Sequence, residues 1–268
     1  MTVTRENVTK SQRWIIADRL AEDRLETVNR LCRPVEPRRT FYSRFVKRGL
    51  DIIVSAAALV VTLPINAVAA VGTALDVGSP LFFKQTRVGK DGKTFTIVKF
   101  RNMTNETDEN GELLPPSQRV TKFGRFMRTT SLDELLNFWN VFKGDMSIIG
   151  PRPLVPEYTH RYNDRHLSRL SVRPGLECPP RSLDEQVWTW DDQFENDVWY
   201  VENVSFKTDV KMLANLLRFA LDRKSADARA TADRGSFMGY AFDGTVINME
   251  GVPQSYIDEL NEAESDDL

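Results

Sequence analysis

The hydrophobic positions of this chain change their spacing from one segment to the next, and each spacing predicts a different element. Near the N-terminus, apolar side chains recur about every 3.6 residues: Trp14, Ala17, Ala21, Leu25, Val28 and Leu31. This stripe predicts an amphipathic helix, because Arg and Glu alternate on the opposite face. Such a helix either lies on a bilayer surface or packs on a partner helix. Pro34 and Pro37 are predicted to end it.

A second segment is apolar throughout, since the 24 residues from Ile52 to Leu75 contain no charged side chain. A run of this length can cross a bilayer, and a buried core helix is the alternative. Pro64 interrupts the run near its middle, where proline removes a helical hydrogen bond. Cations flank both ends: Arg44, Lys47 and Arg48 before it, and Lys84 and Arg87 after it. Because such flanks prefer the cytoplasmic side, we predict a re-entrant (monotopic) membrane helix broken at Pro64; a kinked span is the alternative.

The following residues predict a small β-hairpin and then short helices. Residues 81–88 and 93–100 are β-rich and are joined by GKDG, whose Asp91 and Gly92 accept the positive φ of a tight turn. Residues 104–118 are polar and predict a loop. The sequence SLDE predicts a capping box at Ser131, with a helix that ends at a left-handed Gly144.

The remaining pattern predicts helices over 157–170 and 206–222, with turns at GPRPL (150–154) and RPG (173–175). The tail after Asn248 is biased toward disorder. Together these elements predict an α+β fold that is mostly helical, with a small β-hairpin and amphipathic surface helices around the membrane segment.

Charge and rare residues exclude several classes of function. The net charge is −2, which gives no global signal for nucleic acid. Two Cys and two His exclude a disulfide scaffold, a multi-Cys zinc site and a His-rich metal centre. The charge is uneven, because residues 1–48 carry 12 bases and 6 acids (+6) and residues 221–268 carry 4 bases and 11 acids (−7). A basic front and an acidic tail suggest two surfaces with different partners.

One adjacent pair of carboxylates, Asp133 and Glu134, could carry chemistry, although acids at a helix start are also ordinary. Cations in short motifs with Gly or Pro change this balance: Lys99, Arg101, Arg125, Arg128, Arg152 and Arg173. Arginines on rigid turns suit phosphate oxygens. One carboxylate could attack a phosphorus atom while the other holds Mg²⁺. This combination indicates an anionic substrate at a bilayer.

Five stretches are recognisable: KRGLD (47–51), GSPLFFKQTRVGKDGKTFTIVKFRNM (78–103), RTTSLDELLNFWNVFKGDMSIIGPRPL (128–154), VRPG (172–175) and DVWYVENVSFKTDVKML (197–213). In this order they resemble the bacterial sugar transferases, and more specifically the monotopic phosphoglycosyl transferases. The minimal members are the most similar, including the undecaprenyl phosphate N,N'-diacetylbacillosamine 1-phosphate transferase. The resemblance covers roughly residues 45–220.

The resemblance implies transfer of a sugar 1-phosphate from a UDP-sugar to polyprenyl (undecaprenyl) phosphate with release of UMP. This would be the first membrane-committed step of bacterial glycan assembly. The implied mechanism is ping-pong, with Asp133 as the nucleophile that forms a phosphosugar-aspartate and Glu134 bound to Mg²⁺. The implied phosphate and nucleotide contacts are Lys99, Arg101, Arg128, Pro151, Arg152, Pro153 and Arg173. The implied membrane anchor comprises Lys47, Arg48, Asp51 and Pro64, although Leu63 stands where the family has a serine.

The resemblance also implies the cytoplasmic face of the bacterial inner membrane, with the bilayer as a partner and a homodimer left open. We expect a helical extension at 1–40, the membrane helix at 41–76, a catalytic domain at 77–220 and an acidic appendage at 221–268. Residues 176–188, LECPPRSLDEQVW, depart from the family pattern, and Glu185 stands where the family has an arginine. Arg181 could replace that arginine. The alternatives are therefore a catalytically impaired membrane scaffold for glycan assembly and a membrane-anchored interaction protein.

Overall fold

Helices dominate the computed structural model, which describes residues 3–5, 7–107, 111, 113–181, 189–221 and 234–266. The helices are α1 Lys10–Leu31, α2 Lys47–Val77, α3 Pro116–Arg119, α4 Lys122–Thr129, α5 Phe138–Lys143, α6 Asp164–Leu167, α7 Trp190–Asn203, α8 Phe206–Leu221 and α9 Gln254–Asp266. The strands are β1 Phe82–Val88, β2 Thr94–Phe100, β3 Ser147–Ile149, β4 Gly175–Glu177, β5 Gly239–Tyr240 and β6 Val246–Ile247. The predicted fold class, α+β and mostly helical, is confirmed.

The charge-free run lies within one long helix. A π-helical turn, Tyr42–Val46, leads directly into α2. Together they span 36 residues, with a mean hydropathy of 2.2 over the most apolar window, which is long and apolar enough to cross a membrane. Pro64 lies inside α2, and the helix continues through it. The break at Pro64 and the re-entrant path therefore stay predictions.

Both halves of α2 contact the rest of the protein, whereas its middle is exposed. The buried residues of α2 are Asp51 and Ser55 near its start and Ala69 and Thr73 near its end. Between them the apolar side chains are largely exposed; Val60, for example, is 74% exposed. The apolar middle therefore forms no part of the protein's own core, which is the pattern expected of a surface that faces lipid.

Polar contacts attach the start of α2 to the domain. The Asp51 carboxylate oxygen Oδ1 accepts hydrogen bonds from the Ser147 hydroxyl at 3.0 Å and from the Ile148 backbone N–H at 3.1 Å. Lys47 Nζ forms an ion pair of 2.7 Å with Asp209 Oδ2 on α8. These predicted anchor residues therefore fix the helix to β3 and α8.

The hairpin and a parallel strand pair are the two sheets near the charged motifs. β1 and β2 pair antiparallel from Phe82–Phe100 to Val88–Thr94, as predicted to within one residue at each end. The turn has φ of 56° at Asp91 and 76° at Gly92, as predicted. β3 and β4 pair in parallel, which places the GPRPL turn beside the RPG turn. A Cβ on Gly175 would collide with the backbone of Gly150, so this approach requires glycine.

The predicted helix over 157–170 and the predicted disorder after Asn248 are both wrong. The segment 157–170 is divided into the 3₁₀ turn Pro156–Arg161, then α6, then the 3₁₀ turn Ser168–Ser171. The extended Asn163 separates the first two, because its side chain caps α6 by accepting from the His166 N–H at 2.7 Å. The tail after Asn248 is ordered as α9, whose apolar residues Ile257 and Leu260 are buried.

The two terminal segments pack on each other. The buried face of α1 comprises Ile16, Ala17, Leu20, Ala21, Arg24 and Val28. Ile16, Ala17 and Leu20 pack in one core that also contains Ile257 and Leu260 of α9 and Met238 beside β5. The predicted amphipathic helix is confirmed, but its apolar face is covered by its own chain, while Leu31 stays 58% exposed.

An aromatic cluster connects the terminal segments to the catalytic motifs. Tyr158, Tyr162, Phe194, Phe237 and Tyr240 are all buried and pack in one core. Their ring centroids lie about 5 to 6 Å apart, mostly in edge-to-face pairs. Leu154, the last residue of the GPRPL turn, lies in the same core, so Phe237 and Tyr240 of the C-terminal segment support that turn.

Candidate active site

Asp133 and Glu134 lie on a 3₁₀ turn, Leu132–Asn137, that leads into α5. The predicted capping box is wrong, because Ser131 is left-handed (φ 54°) and its side chain does not cap the helix. A capping serine needs an extended backbone instead. The Glu134 N–H bonds to the Ser131 carbonyl at 3.2 Å, and its carboxylate turns toward cations on neighbouring segments.

Two buried asparagines fix this turn to strand β2. Asn137 Oδ1 accepts a hydrogen bond from the Val98 N–H at 3.1 Å and another from Asn140 Nδ2 at 3.1 Å. Asn140 Nδ2 also donates to the Thr96 carbonyl at 3.0 Å. The turn with both carboxylates is therefore held beside the strand whose end carries Lys99.

Glu134 joins two of the predicted cations. Its Oε1 forms ion pairs with Lys99 Nζ at 2.5 Å and with Arg152 Nη2 at 2.8 Å. Arg152 Nη1 forms a further ion pair with Glu177 Oε1 at 3.2 Å. Burial alone would raise the pKa of Glu134, but Arg152 and Lys99 outweigh burial and lower it to about 2. Glu134 is therefore ionised throughout the neutral range.

Asp133 has the opposite environment. Its side chain is buried, and burial, followed by repulsion from Glu134, raises its pKa to about 6; Lys99 and Arg128 act against this rise. Asn102 Nδ2 donates a hydrogen bond of 2.9 Å to Asp133 Oδ2. Asp133 is therefore largely ionised at pH 7 to 8, yet its charge is weakly stabilised, which favours attack on an electrophile.

Arg152 is held in place through its own backbone. Arg169 Nη2 donates to the Arg152 carbonyl at 2.7 Å and, at 2.7 Å, to Asp197 Oδ2. The Arg169–Asp197 ion pair is buried, and Tyr162 OH accepts from Arg169 Nη1 at 3.2 Å. This network links the GPRPL turn, which contains Arg152, to helix α7.

The two prolines beside Arg152 contribute backbone carbonyls. The Pro151 carbonyl accepts from the Gly175 N–H at 3.0 Å, and the Pro153 carbonyl accepts from Arg87 Nη1 at 3.3 Å. These contacts hold the turn between β1 and β4. A substrate contact for Pro151 and Pro153 stays a prediction.

Three other predicted cations contact helix ends: Arg101, Arg173 and Arg48. Arg101 Nη2 donates to the carbonyls of Val77 and Gly78, where α2 ends. Arg173 Nε donates to the Gly144 carbonyl at 2.9 Å, and Gly144 has the predicted left-handed conformation. Such cations satisfy carbonyls that a helix leaves unpaired.

Arg48 completes the same set at α5, where it donates to the Val141 carbonyl at 2.6 Å and the Phe142 carbonyl at 2.7 Å. Arg128 is exposed on α4, near enough to lower the pKa of Asp133. The site therefore brings together Lys99, Arg152 and both carboxylates, with Arg128 near Asp133. Substrate contacts for Arg101 and Arg173 stay predictions.

Sequence reasoning missed three residues that shape the site. Asn102 directly follows Arg101 at the end of β2, so its position beside two predicted cations was an available signal. Arg169 and Asp197 had no local signal, because their ion pair joins segments 28 residues apart. Arg181 donates its backbone N–H to Asn196 Oδ1 at 3.0 Å. Glu185 lies outside the described residues.

The site offers few oxygen donors to a metal ion such as Mg²⁺. No group of three or more His, Cys, Asp and Glu side chains converges within the described ranges. Mg²⁺ does not require one, since it binds through one or two carboxylates together with substrate phosphates and water. Both ion pairs of Glu134 use Oε1, which leaves Oε2 as a hard oxygen donor. The site therefore fits Mg²⁺ that arrives with a phosphate substrate.

The sequence that builds this site matches a known protein family. The model of the bacterial sugar transferase family matches residues 42–223. The chain belongs to this family. The matched range runs from the start of the membrane helix to the end of α8, so it contains both carboxylates and every predicted site residue of the transferase.

Individual relatives agree. The transferase is 46% identical over 147 residues to the uncharacterized sugar transferase EpsL of Bacillus subtilis, covering 55% of this chain and 73% of EpsL. It is 34% identical over 185 residues (66% of this chain, 44% of the relative) to the UDP-N-acetylgalactosamine-undecaprenyl-phosphate N-acetylgalactosaminephosphotransferase of Aeromonas hydrophila. It is also 34% identical over 177 residues (62% and 38%) to the UDP-glucose:undecaprenyl-phosphate glucose-1-phosphate transferase of Klebsiella pneumoniae. The transferase thus spans less than half the length of these two enzymes.

Proposed function

We propose that the transferase moves a sugar 1-phosphate from a UDP-sugar to undecaprenyl phosphate and releases UMP. One observation carries this proposal: two adjacent carboxylates are held in different states, Asp133 buried with a raised pKa and Glu134 ion-paired with Lys99 and Arg152. The names of the Aeromonas and Klebsiella relatives supply the donor and acceptor classes.

The reaction proceeds in two displacements. In the first, Asp133 Oδ1 attacks the phosphorus that bears the sugar, an Asp–O–P bond forms, and the bond to UMP breaks with its electron pair leaving on UMP. In the second, a phosphate oxygen of undecaprenyl phosphate attacks the same phosphorus, and the electron pair of the broken Asp–O–P bond returns to Asp133. Asn102 holds Oδ2, so Oδ1 is the oxygen available for attack.

The cations lower the repulsion between carboxylate and phosphates. Arg152 and Lys99 meet at Glu134, so their charge is presented beside Asp133, and Arg128 adds charge from α4. Mg²⁺, which Glu134 would hold together with the donor phosphates, would supply further positive charge there. Arg169 holds the Arg152 carbonyl, and hydrogen bonds to the Pro151 and Pro153 carbonyls hold the turn on either side of it.

The long apolar helix supports a location of this site at the bilayer surface. Contacts from Asp51 at one end of α2 and from Arg101 at the other support a path that enters and leaves on the same side. We therefore place the site on the cytoplasmic face of the inner membrane. Cysteines substituted at exposed Arg39 and Lys84, in a variant without the native cysteines, should both be labelled from the cytoplasmic side only. Labelling of the two introduced cysteines from opposite sides would instead establish that α2 spans the membrane.

UMP release tests the function. Protein in nanodiscs is mixed with Mg²⁺, undecaprenyl phosphate and UDP-N-acetylgalactosamine, UDP-glucose or UDP-N,N'-diacetylbacillosamine. We expect UMP with at least one donor, a phosphosugar adduct on Asp133 by mass spectrometry, and neither with Asp133→Asn. Asp145→Asn, outside the site, is the matched control. Turnover that survives in Asp133→Asn would refute the mechanism, and no UMP with any donor would favour the membrane scaffold.

A further inference from the structure

Among the side chains that the structure describes, Asn102 donates a hydrogen bond to Asp133, the proposed nucleophile. It lies just beyond the end of β2, and its Nδ2 is 2.9 Å from Asp133 Oδ2. Asp133 is 5% exposed, so water competes little for this oxygen. A hydrogen bond from a neutral donor to a buried carboxylate is strong when the carboxylate is charged and weak when it is not.

The backbone of Asn102 is fixed independently of any substrate. Gly124 of α4 packs so closely that a Cβ there would collide with the Asn102 carbonyl. The Gly124 N–H is in turn bound by the capping Thr121 hydroxyl at 2.8 Å. The amide of Asn102 is thus aimed at Asp133 from a backbone that the start of α4 holds in place.

We propose that Asn102 is a positioning residue that stabilises the Asp133 carboxylate as the leaving group of the second displacement. This inference rests on the proposed function. When Oδ1 is bonded to phosphorus, Oδ2 is a neutral carbonyl oxygen and the hydrogen bond to it is weak. As the Oδ1–P bond breaks, its electron pair returns to the carboxylate, the charge spreads to Oδ2, and the hydrogen bond strengthens.

The first displacement has the reverse balance. There the same hydrogen bond stabilises the attacking carboxylate before the reaction and weakens as charge moves onto the departing UMP. Removing the donor therefore slows the second displacement and does not slow the first. The expected loss in the second step is about 10- to 100-fold, as for a hydrogen bond to a charged group. The adduct on Asp133 should consequently accumulate.

The test separates the two displacements at pH 8. Asn102→Leu, which has a similar shape and no donor, is compared with the wild type and with Asn105→Leu, an exposed neighbour that serves as control. UMP release in a single turnover without acceptor gives the first rate, and discharge of the isolated adduct by undecaprenyl phosphate gives the second. We expect the second rate to fall about 10- to 100-fold and the first not to fall, with an unchanged donor KM. Asn105→Leu should match the wild type.

Several results would overturn the inference. Equal losses in both rates, a loss in the first rate alone, or a raised donor KM would mean that Asn102 only shapes the site. If Asn102→Leu fails to fold, Asn102→Asp, which has the same shape as the wild-type side chain, is measured instead. A carboxylate at this position repels the charge that returns to Asp133, so the second displacement must be slower. A wild-type enzyme that turns over without any adduct would refute the proposed function and this inference together. A wild-type adduct with unaltered discharge in the variants would refute this inference alone.

Discussion

Replacing Asp133 by Asn removes a charge that the folded protein stabilises poorly. Burial and the neighbouring Glu134 raise the pKa of Asp133 from an ordinary 3.8 to about 6. Each pKa unit corresponds to ~1.4 kcal/mol, so ionised Asp133 costs the folded state about 3 kcal/mol relative to the unfolded chain. Asn has the same shape, and its carbonyl oxygen can accept the hydrogen bond from Asn102. We therefore expect Asp133→Asn to abolish transfer and stabilise the fold.

The stabilisation must depend on pH in a defined direction. Because the folded pKa lies above the unfolded one, the cost is absent at low pH, appears as pH rises from about 4 to 6, and is complete above that range. Asp133→Asn should be more stable than the wild type by about 3 kcal/mol at pH 7.5 and by less than about 1 kcal/mol at pH 4. For a chain of this size, 3 kcal/mol corresponds to about 6 °C in Tm.

Thermal unfolding without donor or Mg²⁺ measures this effect. Tm is recorded from pH 4 to 8 for the wild type, Asp133→Asn and a control, Asp91→Asn. Asp91 lies in the exposed hairpin turn, where Asn also accepts the positive φ of 56°. The control should follow the wild type at every pH. An Asp133→Asn protein that gains the same Tm at pH 4 as at pH 7.5, or gains none, would refute the view that Asp133 is a destabilised carboxylate.

Three further substitutions test the supports of the site. Phe237→Ala, in the aromatic cluster, should lower stability by about 3 to 5 kcal/mol, measured by denaturant unfolding; no loss would mean that the C-terminal segment is dispensable. Gly124→Ala should force a shift at Asn102 and reduce UMP release at least tenfold, since the new Cβ collides with its carbonyl; full activity would contradict this packing. Asp209→Asn should lower Tm because it leaves Lys47 without its carboxylate partner, at a cost of about 3 kcal/mol. A double variant, Lys47→Met with Asp209→Asn, should recover part of that loss because it also removes the unpaired charge.

Local signals were sufficient for several elements of the transferase. The hairpin turn followed from the need for positive φ at Asp91 and Gly92, and the left-handed end of α5 followed from Gly144. The long apolar run predicted α2, because a stretch without charges has few other stable conformations. In each of these cases the deciding interaction lies within a few residues of chain, so the sequence displays it directly.

Other local signals were misleading where tertiary contacts outweighed them. SLDE has the spacing of a capping box, yet the Glu134 carboxylate gains more from Lys99 and Arg152 than from the Ser131 N–H. Two charge-assisted ion pairs at the half-buried Glu134 carboxylate exceed one exposed capping bond. The tail after Asn248 lacks the composition of a stable segment but folds as α9, because α1 offers it an apolar face.

The sequence by itself determined the class of this protein: its membrane helix, its hairpin and, through ordered motifs, the carboxylate pair and the cations beside it. Only the tertiary structure shows that the two carboxylates lie in opposite electrostatic environments. Asp133 and Glu134 are adjacent and chemically alike, and no pattern along the chain distinguishes their charge states. Burial raises the pKa of one, while cations from β2 and from the GPRPL turn lower that of the other. Electrostatic environment depends on distances through space, which neighbours in sequence do not specify.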